Sequence, residues 1–137
     1  MTAKELAALL DGNQYDKEIT KEQEKQAADS GLVVVFGYSD DNVVLCGAID
    51  DEVGAYDGTS FHVTREGVLW APDCDCDECK YFEIAKRAAT EIKAIWHNSG
   101  DPCWTFETAV PHETFRIYED SELFSVGIVF SVEDLPC

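Results

Sequence analysis

No stretch of this 137-residue sequence approaches the ~20 consecutive apolar residues that a membrane-spanning helix needs. The opening, Met1-Thr2-Ala3-Lys4-Glu5-Leu6, lacks the basic stretch and apolar core of an export signal, so a cytoplasmic chain is expected. Internal repeats and low-complexity tracts are missing, and the length is short for two domains, so a single domain over residues 1–137 is expected. Basic residues are scarce: 10 Lys and Arg stand against 28 Asp and Glu, for a net charge of -18. Such a surface repels DNA, RNA and anionic membranes, which argues against direct nucleic-acid binding. It suits a basic protein partner, and it also suits mere solubility.

The usual catalytic signatures are absent as well. There is no G-x-S-x-G, no phosphate-cradling glycine loop, no H-E-x-x-H and no H-x-E with P-C-x-x-C. His62, His97 and His112 have no nucleophile partner visible in the sequence. These absences favour a binding protein over an enzyme, with no catalytic residue and no cofactor assigned.

What is present begins with an uneven charge. Residues 1–30 carry 4 basic and 7 acidic side chains, residues 31–79 carry 1 and 11, residues 80–93 carry 4 and 2, and residues 94–137 carry 1 and 8. The net charges are therefore -3, -10, +2 and -7. Only the third segment is basic.

With 45% apolar residues the chain can fill one core, and its patterning points to an α+β fold. Thr2 and Glu5 form a capping box before Leu6, Leu9 and Leu10, predicting a helix over 3–10 that Asp11-Gly12-Asn13 ends. Thr20 and Gln23 form a second box, predicting an exposed helix to about Asp29 with Gly31 at its C-terminal cap. Leu32–Phe36 and Val43–Ile49 are apolar runs around the turn residues Ser39-Asp40-Asp41-Asn42, predicting a central hairpin buried on both faces. Ser60–Thr64 and Val68–Trp70 predict a second hairpin around Arg65-Glu66-Gly67. Phe61 and Val63 are expected on one face, His62 and Thr64 on the other. Tyr81, Ala85, Ala88, Ile92 and Ile95 recur at helical spacing, predicting one long helix over 80–96 that Asn98-Ser99-Gly100 stops. Lys86, Arg87 and Lys93 lie off that stripe, and Glu83 and Arg87 form an i,i+4 pair. Strands are expected at Trp104–Ala109, Glu113–Tyr118 and Leu123–Ser131, with a turn at Glu119-Asp120-Ser121-Glu122. The whole predicts a mostly antiparallel sheet with one long helix packed across it and two short N-terminal helices.

Three constellations can carry chemistry. The first is Asp73-Cys74-Asp75-Cys76-Asp77-Glu78-Cys79. Cys74, Cys76 and Cys79 are thiolate candidates for zinc, with His97 or Cys103 as the fourth ligand. A second C-x-x-C is missing, and a helix of about 17 residues, roughly 25 Å long, would hold the fourth ligand away. Redox use is opposed by Asp75, Asp77 and Glu78, which raise thiol pKa. An EF-hand would want Gly at 78 and Glu at 84, where Glu78 and Ile84 stand. An exposed acidic loop capping a helix, without metal, is the favoured reading. Cys46 lies in an apolar run and reads as a buried hydrophobe.

The second is the glycine-bracketed loop that carries Asp50, Asp51, Glu52, Tyr56 and Asp57. Its carboxylates suit Mg²⁺, a basic side chain or a ligand, and read equally as a solvated turn. The third is Pro111-His112-Glu113-Thr114, with Trp104, Phe106 and Phe115 nearby in sequence. A histidine beside a carboxylate and aromatics can hold a planar ligand by stacking and hydrogen bonds. Arg65 and Arg116, the arginines outside the helical segments, are the natural phosphate contacts. The bland alternative has the aromatics in the core and His112 exposed.

Ile19-Thr20-Lys21-Glu22 through Gly31-Leu32-Val33-Val34-Val35-Phe36-Gly37, the segment Gly47–Gly58 and Pro111-His112-Glu113-Thr114-Phe115 resemble short acidic proteins encoded by bacteriophages and prophages. The resemblance implies an anti-defence inhibitor acting by binding in an infected bacterial cell. Two mechanisms follow from it. An acidic inhibitor can occupy the basic nucleic-acid groove of a defence nuclease, in the manner of an anti-CRISPR protein. Alternatively, a homo-oligomer can sequester a cyclic-nucleotide or ADP-ribose-type immune signal. The rivals are a metal-dependent enzyme acting on a nucleotide through Asp50, Asp51, Glu52 and Asp57, and a zinc-stabilised structural or virion accessory domain.

Overall fold

A computed structural model describes residues 1–13, 20–38, 43–48, 57–63, 69–70, 82–98 and 102–136. Helix α1 (Ala3–Leu10) starts at Thr2, whose hydroxyl oxygen accepts from the Glu5 N–H at 3.1 Å. The reciprocal half of the expected capping box differs: the Thr2 hydroxyl donates to Glu5 Oε1 at 3.1 Å. Asp11 ends the helix, its N–H donating to the Ala7 carbonyl. Gly12 then takes φ 118°, open to glycine and rarely to other residues. Gly12–Asn13 forms strand β1, a short element that the sequence pattern does not announce.

Helix α2 (Lys21–Asp29) has the full reciprocal box: Gln23 N–H donates to Thr20 Oγ1, and Thr20 N–H donates to Gln23 Oε1. Ala27 is buried while Lys21, Glu22, Lys25, Gln26, Ala28 and Asp29 are exposed, as the apolar-poor sequence requires. Gly31 closes the helix at φ +67°, its N–H donating to the Ala28 carbonyl.

Strands β2 (Leu32–Tyr38), β3 (Val43–Ala48), β4 (Asp57–Val63) and β5 (Leu69–Trp70) follow as successive antiparallel neighbours. Both expected hairpins are therefore present. Their turns, at 39–42 and 64–68, lie outside the described residues, as do Thr64 and the side chains of Phe61, His62 and Val63. Strands β8 (Glu113–Glu119) and β9 (Glu122–Ser131) complete a sheet of order β1-β8-β9-β2-β3-β4-β5, antiparallel except for the β1–β8 pair. Between β8 and β9, Asp120 and Ser121 form a two-residue turn at φ 49° and 70°.

Helix α3 (Phe82–Glu91) corrects the long helix expected over 80–96. The chain leaves the helix after Glu91 and continues as β6 (Lys93–Asn98), which pairs with β7 (Pro102–Glu107) in a separate two-stranded sheet. Ile92 and Ile95 fit the helical stripe, but Ile92, Ile95 and Trp96 are also strand formers, and cross-strand pairing overrides the local period. Of the expected stripe, Ala88 and Ile92 are buried and Ile95 is only half-buried in β6, while Tyr81 and the Ala85 side chain lie outside the described residues; Ile84, off that stripe, packs against the same cluster. Arg87 donates to two backbone carbonyls, Leu135 at 2.7 Å and Pro136 at 3.2 Å. The Glu83 side chain lies outside the described residues.

Strand β2 lies mid-sheet, and its side chains divide the core by parity. Leu32 and Val34 join Leu6, Ala7 and Leu10 of α1, Ala27 of α2, and Phe115, Ile117 and Val129 of the sheet. Val33 and Val35 face the other way, onto Ala88, Ile92, Val110, Val126, Ile128, Phe130 and Leu135. The sheet is thus covered on one face by α1 and α2, and on the other by α3. Among the described residues no helix is long and apolar enough to cross a membrane.

Candidate functional site

The three regions singled out in the sequence fare differently. The cysteine segment, Cys74, Cys76 and Cys79 included, lies outside the described residues. So do Asp50, Asp51, Glu52, Tyr56 and Arg65. Asp57 opens β4 directly opposite Ala48, so the acidic loop joins the paired ends of β3 and β4. His97 and Cys103, expected at the far end of a helix, are instead backbone partners across the β6–β7 hairpin, next to the Trp96–Trp104 pair. Among the described residues no group of three or more His, Cys, Asp or Glu is gathered as a metal site.

The third region is described best. Pro111-His112-Glu113 leads into β8 at the end of the sheet where β9 finishes and β2 begins. Leu32 and Ser131 are paired there. Around this end lies an open depression of about 420 Å³, lined by Met1–Ala3, Ser30, Leu32, Pro111–Glu113, Ser131 and Asp134. Its floor is partly apolar, from buried Leu32 with Pro111 and Ala3 beside it. Glu113 and Asp134 are exposed, and His112 is half-buried. Among the described residues no Lys or Arg side chain lines it, and the Met1 amino group is the cation present.

Backbone turns set its chemistry. Val110 N–H donates to Thr108 Oγ1 at 3.1 Å, bending the chain ahead of Pro111. His112 Nδ1 lies 2.8 Å from the Val110 carbonyl oxygen. A carbonyl only accepts, so Nδ1 carries the proton of that bond. The Ser30 hydroxyl donates to the Gln26 carbonyl at 2.7 Å and accepts from the Met1 amino group at 3.2 Å. Ser131 Oγ accepts from the Glu133 N–H at 3.4 Å, where the chain enters the 3-10 turn Val132–Asp134.

Pro111, His112 and Glu113 therefore meet in one depression, but among the described residues Phe106, Thr114, Phe115 and Arg116 do not line it. Phe106 is half-buried against the core on the α3 face. Arg116 is exposed on β8, and its backbone N–H donates to Asp11 Oδ1 at 2.9 Å. It lies three positions after Glu113, so strand alternation sends their side chains to opposite faces. The Trp104 side chain lies outside the described residues. Sequence reasoning missed Thr2, Ser30, Leu32, Ser131 and Asp134. They come from distant chain segments, and only strand register and helix endings bring them together.

No family model, no curated protein and no solved structure matches this chain.

Proposed function

We propose that this chain is a non-enzymatic binding protein whose target is a basic protein. Following the resemblance to short phage proteins, the target is an effector of bacterial immunity, blocked in the cytoplasm of the infected cell. The observation that carries this reading is the net charge of -18, which is spread over every segment except the one containing α3. Long-range attraction from such a surface raises the rate of encounter with a cationic groove and disfavours polyanions. The described lining around His112 presents two carboxylates, Glu113 and Asp134, against one cation, the Met1 amino group. A nucleotide signal would need cationic or donor groups against its phosphates. Phe106 and Arg116, two of the residues proposed for that task, stand outside the depression.

The test is purification of the tagged chain from phage-challenged bacteria that carry a defence system, followed by native mass spectrometry. A basic protein that co-elutes stoichiometrically and dissociates as salt rises supports the reading. Release of an intact nucleotide on heating, with no protein partner, replaces it with signal sequestration. Conversion of excess nucleotide by substoichiometric protein replaces it with an enzyme.

A further inference from the structure

We draw no further inference here: the strongest candidate, the surface patch on one face of β8 where Thr114 and Arg116 are exposed beside half-buried Tyr118, is an unpartnered sheet face, and nothing in the structure shows what covers it.

Discussion

Gly31 and Val132 are joined tightly at the point where α2 gives way to the sheet. The Gly31 carbonyl accepts from the Val132 N–H at 2.8 Å, and a Cβ placed on Gly31 would sit 3.3 Å from Val132 Cγ1. Gly31 also holds φ +67°. Gly31→Ala therefore meets both backbone strain and a close side-chain approach, and should destabilise the fold by about 1–2 kcal/mol. Chemical denaturation checks this: an unchanged midpoint would mean that the helix end repacks without cost.

Arg87 connects α3 to the segment after β9. Its guanidinium donates to the carbonyls of Leu135 and Pro136, and Leu135 is buried in the cluster beneath α3. Arg87→Met keeps most of the stem and removes the donors. A loss of about 1–2 kcal/mol is expected, at the lower part of the range for charged hydrogen bonds because the group is half-exposed. Amide exchange at Leu135 should accelerate more than exchange in β2. Uniform acceleration would mean that Arg87 acts through general packing instead.

The β8–β9 turn carries strain that a substitution can relieve. Asp120 and Ser121 both have positive φ, as a two-residue hairpin turn of the favoured twist demands, but Ser121 lacks the freedom of glycine. Ser121→Gly should stabilise the protein by roughly 0.5–1 kcal/mol, the relief at the turn outweighing the added freedom of the unfolded chain. Thermal unfolding that shows a lower midpoint would reverse this assignment.

These elements also show what the sequence could disclose. The turn at 119–122, the β2 and β3 runs and both cap sequences were legible because local chemistry and tertiary structure demand the same backbone. The end of α3 was not. Ile92 and Ile95 satisfy a helical period, yet Lys93–Asn98 pairs with Pro102–Glu107. A period of 3.6 read over one segment carries no information about a partner strand ten residues on. Strand β1 was illegible for a similar reason: Gly12 and Asn13 have no pattern, and they are strand only because Ile117 and Tyr118 lie alongside. Of the depression, His112 and Glu113 could be singled out as an adjacent polar pair. Ser131 could not, because its place depends on its pairing with Leu32, about a hundred residues earlier.

The largest acidic concentration in the chain, -10 over residues 31–79, includes the loop between β3 and β4. If that loop supplies the main contact with a basic effector, Asp50→Asn, Asp51→Asn and Asp57→Asn together should weaken inhibition while the melting temperature changes little. Ala48 and Asp57 form the last backbone pair of the hairpin, and an Asp57→Asn change leaves that pairing available. Neutralisation should also flatten the salt dependence of binding, since fewer charges remain to be screened. Inhibition unchanged in the triple variant at normal solubility would remove the loop from the interface.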